Sequence, residues 1–201
     1  MYNVIRLIHT DQRNRLLGPL RDATASAPHA LVAPTLPGSR NGGDILVHLR
    51  FADETHWHHL EPDLTAATSD TSVTRIDGAS YLGSPVVSEL SPGSVYRVLL
   101  LRVWPGTDDG TVSRFEDDLR LLTRYVPTIT EWQLSRVESP VGTSAWTHVF
   151  SQRFTDVDGL MGPYLMHPVH WAQVDRWFDP ECPEYIVRER VCHSFCHVAE
   201  A

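Results

Sequence analysis

Along most of the chain, apolar and polar residues alternate in short runs, and between those runs the spacing changes to the period of a helix. The pattern predicts a strand over residues 2–10, a helix over 12–26 and strands over 30–35 and 44–51. A helix over 54–67 and a strand over 72–78 complete the first half. After a stretch rich in Ser, Pro and Gly the order returns: a strand over 96–103, a helix over 111–125 and strands over 130–138 and 145–154. A helix opening at Pro168 and a strand over 185–195 end the second half. Two local matches accompany this repeated β-α-β-β-α-β order. Tyr2-x-Val4 answers Tyr96-x-Val98, and Arg50-Phe51-x-Asp53 answers Arg153-Phe154-x-Asp156.

This order defines the ferredoxin-like split βαβ unit. The fold class expected is α+β, with residues 1–83 as one ferredoxin-like unit, 84–94 as a linker and 95–201 as a second unit. Each unit has four antiparallel strands with both helices on one face, which leaves the other face bare. Pairing the two antiparallel sheets as an intramolecular α/β barrel, a pseudo-dimer, covers both bare faces. A homodimer of such chains is a further form open to it.

The densest chemistry lies in Tyr164-Leu-Met-His167-Pro168-Val-His170. Proline has no N–H to lose in a first helical turn, so Pro168 marks a helix start and His167 stands at the N-cap. From there His170, Trp171, Val174, Trp177 and Phe178 fall on one stripe that faces the core. On the strand over 145–154, Trp146, His148, Phe150 and Gln152 share a face. A neutral imidazole is a base, and a phenol can donate to a carbonyl or enolate oxygen. A phenol and two imidazoles among aromatic side chains therefore suit acid–base work on an apolar molecule. Buried histidines satisfied by backbone carbonyls are the plain structural alternative.

Thr147-His148 on a strand, then Phe154-x-Asp156, then Tyr164-x-x-His167-Pro168-x-His170, resembles the signature of the stress-responsive A/B barrel family, and within it the plant polyketide cyclases. The resemblance spans about residues 95–196. It implies that Tyr164 and His170 are a catalytic pair, with His148 in the same pocket. It further implies proton abstraction next to a carbonyl, in a cyclase, lyase or isomerase reaction on an aromatic or polyketide-like small molecule, without metal or organic cofactor. The chain departs from the cyclases on its strand over 96–103, where Arg97 stands in place of a pocket histidine; Arg97 is a candidate to hold a carboxylate or phenolate. Trp146, Phe150, His167, Trp171 and Trp177 complete the expected substrate lining. Counting from Phe51 as from Phe154, a shift of 103, places Ile45, Glu61, Leu64 and Ala67 where His148, Tyr164, His167 and His170 stand, so one site is expected and the first half reads as scaffold. Two other classes stay open: a cofactor-free or haem-binding oxygenase, and a non-catalytic, stress-associated small-molecule-binding protein.

A formal charge of -8, with 17 basic residues that are all arginine and form no run, argues against nucleic acid as partner. No apolar run is long enough to span a membrane, and the first residues lack the pattern of a signal peptide, so a cytoplasmic protein is expected. Cys192-His193-Ser-Phe-Cys196-His197 offers four zinc-ligand side chains, but on a strand the cysteines point one way and the histidines the other, which disfavours one shared ion. His56 and His59 lie beside Glu54 and Glu61 and read as a solvated helix face.

Overall fold

The structure, a computed structural model, describes residues 1–90, 92–189 and 191–198. Its first half runs β1 (Tyr2–Thr10), α1 (Arg13–Thr24), β2 (His29–Pro34), β3 (Ile45–Phe51), α2 (Glu54–Thr68) and β4 (Val73–Leu82). The linker contributes a two-residue strand, β5 (Val86–Val87). The second half runs β6 (Val95–Leu101), α3 (Asp109–Tyr125), β7 (Ile129–Val141), β8 (His148–Phe154) and β9 (Cys192–His197). The strands hydrogen-bond in the order β2-β3-β1-β4-β7-β8-β6-β9, with β5 on β7. Each half thus keeps the split βαβ order, and the two sheets join edge to edge where β4 pairs antiparallel with β7. On the far side, the loop after β2 meets β9: Leu36 N–H donates to Phe195 O, and Arg40 and His193 exchange backbone hydrogen bonds, each 2.8 Å. The result is a nearly closed antiparallel barrel within one chain, as expected for two units pairing their sheets.

Three apolar cores follow from strand alternation. In the first half, Val4, Ile8, Val47 and Leu49 pack under Leu16, Leu20, Trp57 and Leu60 of α1 and α2. In the second, Leu99, Phe150 and Phe154 pack under Phe115, Leu119 and Leu122 of α3 and under Tyr164 and Trp177. The opposite faces meet inside the barrel, where Ile5, Leu7, Leu46 and Ala79 pack with Val98, Leu100 and Val149. His48 lies in this interior as well, stacked on Tyr96 with ring centroids 5.0 Å apart.

Register sorts the two local matches. Tyr2 lies opposite Phe51, and Val95, not Tyr96, lies opposite Phe154. Tyr2 faces α2 and donates to Glu54, whereas Tyr96 faces the barrel interior. The Tyr-x-Val correspondence is therefore off by one residue, which on a strand exchanges the faces. The Arg-Phe-x-Asp correspondence is structural: Phe51 and Phe154 each end a strand in a helix-facing core. Asp53 and Asp156 each cap the following helix, accepting from His56 N–H and Gly159 N–H.

The end of the chain departs from the expected pattern. The last strand was expected over 185–195 and is found at Cys192–His197, because the backbone of Ile186 and Val187 is engaged elsewhere: both N–H groups donate to Trp177 O. The helix does open at Pro168, but it is a π-helix over His170–Val174 and a 3₁₀ turn over Asp175–Trp177. A second π-helix, Leu160–Tyr164, precedes it after the short helix Val157–Gly159.

Because the barrel interior is built from both halves, the halves should unfold together. Leu46→Ala is expected to cost about 2–5 kcal/mol and to lower the midpoint seen by tryptophan fluorescence, carried mostly by the second half, as much as that seen by circular dichroism. Separate midpoints for the two signals in urea would show that the halves are not one cooperative unit.

Candidate functional site

Alternation along β6 turns Arg97, with Val95, Leu99 and Leu101, toward the helices of the second half. Its side chain is deep in the core, 4 % exposed. Nε donates to His193 Nε2 at 2.8 Å, and Nη1 donates to Gln152 Oε1 and, at 2.9 Å, to the Tyr164 hydroxyl. The guanidinium carbon also lies 4.8 Å from the centre of the Tyr164 ring. Among the described residues no Asp or Glu pairs with it. Burial pulls its pKa below the ordinary arginine value, opposed by the phenol beside it.

Tyr164 ends the first π-helix and is 1 % exposed. Burial raises its pKa and the Arg97 charge lowers it, with the balance upward, so it is a protonated donor at neutral pH. His170 meets it edge to face, ring centroids 5.1 Å apart at 75°. The second π-helix explains what holds His170. Asp175 N–H donates to His170 O, the i to i+5 bond of a widened turn, and that same turn sets Asp175 Oδ1 3.3 Å from His170 Nδ1. Nδ1 thereby faces a carboxylate, and Nε2 lies on the other edge of the ring.

His148 is not held with that pair. It lies on β8 four residues from Gln152, about 13 Å along an extended strand, with Phe150 between them on the same face. Its Nδ1 lies 2.8 Å from Thr147 Oγ1 and its Nε2 3.2 Å from Glu116 Oε1, a carboxylate that also accepts from Arg136. Burial lowers the His148 pKa, and Glu116 acts against that. The grouping of His148 with Tyr164 and His170 is thus corrected: α3 supplies a carboxylate that engages the imidazole at the other end of the strand.

The aromatic residues divide as well. Phe150 and Trp177 lie in the core beneath α3, with the Trp177 indole N–H donating to Asp118. Trp146 precedes β8 and packs in the barrel interior, donating to Val141 O, so it does not share a face with Phe150; strand alternation cannot extend to it because the strand begins at His148. Trp171 is 58 % exposed, since the widened π turn moves it off the stripe expected for an α-helix. His167 accepts from Val169 N–H at the helix start and stacks on Tyr125, away from the buried cluster.

Sequence reasoning passed over three members of the cluster. Alternation puts Gln152 on the correct strand face, with nothing in the sequence to assign it a role. His193 was weighed only as a zinc ligand; alternation on β9 sends Cys192 and Cys196 into the barrel and His193 toward Arg97. Asp175 carried no signal, because only a π turn brings it beside His170. Surface clefts lined by residues 10–15, by Arg21 with β2, by His29 with Arg50 and by Trp57 with Glu61 do not include Tyr164 or His170. The cluster is accessible at His170 and Asp175, whose side chains are 18 % and 50 % exposed. Among the described residues no helix is long and apolar enough to cross a membrane.

Residues 95–192 match the model of the family described as the stress responsive A/B barrel domain, Dabb. No curated protein matches the chain significantly. Among solved structures, an anthrone oxidase-like protein superposes with a TM-score of 0.66 at 13 % identity, over 99 % of this chain and 91 % of that one. A proposed monooxygenase from Fusobacterium nucleatum gives 0.62 at 9 % identity, over 99 % and 92 %. A mutant chlorite dismutase from Candidatus Nitrospira defluvii gives 0.56 at 10 %, over 97 % and 90 %. At such identities these similarities establish the shared barrel fold and nothing of the chemistry.

A buried histidine, His48, and a partly buried one, His193, make stability depend on pH. Burial, then the charges of Arg97 and Arg40, lowers the pKa of His193 to about 2, and burial lowers that of His48 well below 6.5. Both are neutral in the folded chain and take up a proton near pH 6.5 once unfolded. Stability is therefore fully present above that pH and falls as the pH falls toward the folded values, by about 1.4 kcal/mol per pH unit for each. His193→Gln should remove one such contribution from the difference between urea unfolding at pH 6 and pH 5. An unchanged difference would show that His193 protonates in the folded protein.

Proposed function

With residues 95–192 forming a stress responsive A/B barrel domain, we propose that the cluster around Tyr164 and His170 abstracts a proton next to a carbonyl group of an aromatic or polyketide-like small molecule. His170 Nε2 takes the proton as general base, and Asp175 at Nδ1 orients the ring and offsets the charge that forms on it. The electrons of the broken C–H bond move to the carbonyl oxygen, which is met by the Tyr164 hydroxyl with Arg97 behind it. The resulting enolate closes on a second carbonyl, expels a leaving group or is reprotonated at another carbon, which are the outcomes of a cyclase, a lyase and an isomerase. In the first and last, protonated His170 returns its proton. Base and donor are both side chains of this chain, so the reading calls for no metal or organic cofactor.

The single observation that carries this reading is the Tyr164–His170 contact, in which a protonated phenol and an imidazole beside a carboxylate lie edge to face at the rim of an apolar core. Phe154, packed edge to face on Tyr164, and the neighbouring Trp177 supply the apolar wall that such a substrate needs. Since Tyr164 is almost fully covered, a substrate enters by displacing the segment that carries His170, and a π-helix is a suitable place for that because its hydrogen bonds are already rearranged.

The test is turnover of a panel of poly-β-ketones and hydroxylated aromatic ketones. His170→Ala and Tyr164→Phe should each lower the rate by about a hundredfold or more, and Asp175→Asn by less, because it removes the orienting charge but not the base. Full turnover by both His170→Ala and Tyr164→Phe would reject the assignment.

A further inference from the structure

We infer that the ligand of the Tyr164–His170 site arrives as a permanent oxyanion, a carboxylate on an aromatic or polyketide-like acid, held by Arg97 and Gln152. The inference rests on the location proposed for the site, and on none of its proton chemistry.

A guanidinium stays charged at any physiological pH. The partners of Arg97 among the described residues are an imidazole nitrogen, an amide oxygen and a phenol, all neutral. A charge this deeply buried calls for a counterion, because burial removes its hydration and neutral acceptors replace that only in part. Gln152 points to the same missing partner. Its Oε1 accepts from Arg97, which turns Nε2 away; Nε2 is buried and has no partner, on a side chain 1 % exposed. Flipping the amide would set its N–H groups against the guanidinium, so the orientation is forced.

The Tyr164 oxygen accepts from Arg97, which leaves the phenol proton to be donated elsewhere. The Tyr164 phenol, the Gln152 amide with its unpartnered N–H and the Arg97 charge thus form one contiguous cluster that holds no anion among the described residues. A carboxylate offers two oxygens with about four acceptor positions and the missing negative charge. An enolate alone does not serve, since its charge exists only during turnover whereas that of Arg97 is always present. An ester, thioester or amide supplies an acceptor but no charge.

The device belongs to one half of the molecule. The register that sets Tyr2 against Val95 places Val4 at the position of Arg97, and the shift of 103 places Leu49 at that of Gln152, both buried in apolar surroundings. The cation and its amide therefore occur only where Tyr164 and His170 also occur, as expected of a binding feature and not of a requirement of the fold.

The probe is the pair salicylate and salicylamide, which have closely similar shapes and differ in charge, titrated calorimetrically into the full-length protein at pH 7. Salicylate should bind at least tenfold more tightly than salicylamide, and Arg97→Met, with its fold checked by circular dichroism, should lose that preference. If Arg97→Met does not fold, Gln152→Leu should narrow it, and the ligand pair on the unaltered protein decides in any case. Equal binding of the two, binding of neither, or an undiminished preference in a folded Arg97→Met overturns the inference. Preferential binding by a protein that turns over none of the ketones would leave the oxyanion site standing and remove the proposed catalysis.

Discussion

Both faces of each sheet are apolar, and the molecule is built around covering all four of them. Every residue of β6 is buried, and so is nearly every residue of β1, the pattern of strands packed on both sides. Helices cover one face of each sheet. The other two faces cover each other, which forces the sheets to meet along their edges and close. Fixing β9 is part of that closure, because the loop after β2 binds the backbone of His193 through Arg40. His193 in turn accepts from Arg97. The first half thus reaches the site from the loop after β2, through the charge of Arg40 near His193 and by holding in place the strand whose imidazole orients the buried guanidinium.

The two halves share what the backbone needs and differ in what chemistry needs. Arg-Phe-x-Asp is kept in both because the phenylalanine closes a helix-facing core and the aspartate caps the next helix, and either unit would lose both without it. Beyond the cap the halves diverge. In the first, the chain continues as α2, an α-helix of 15 residues, whose histidines His56 and His58 lie in solvent beside Asp53, Glu54 and Glu61. In the second, it breaks into short helical pieces that carry Tyr164 and His170 inward. An unbroken α-helix covers a sheet well; replacing it with segments that have poorer hydrogen-bond geometry gives up some of that cover and gains a polar cluster above the sheet.

The elements legible in the sequence were those governed by alternation and by local punctuation. The repeated strand and helix order, the start of the helical segment at Pro168 and the shared face of His148 and Gln152 all follow from a period of two or from proline chemistry. Trp146 and Trp171 were placed by carrying a period one step past the place where it ends: the strand begins after Trp146, and the α-helical period fails at a π turn before it can bury Trp171. The Tyr-x-Val match failed for a related reason, since identity of residues says nothing of register and a slip of one residue exchanges core for lumen. Its aromatic strand face and the resemblance both draw His148 toward the site, yet its partner Glu116 lies on α3, and a contact between residues 32 apart leaves no mark on either segment alone.

Asp175 shows how a departure from regular structure can be the informative feature. In an α-helix the residue one turn after His170 is Val174, and here Val174 is buried in the core. Widening the turn by one residue leaves Val174 in the core and brings Asp175 alongside the imidazole, so one turn serves packing and orientation together. A regular helix with Asp at 174 would orient the ring and open a cavity beneath it, and with Val174 alone would fill the core and leave Nδ1 without its carboxylate. The π turn is the arrangement of this sequence that meets both requirements, which is why the geometry of His170 depends on helix type as much as on residue identity.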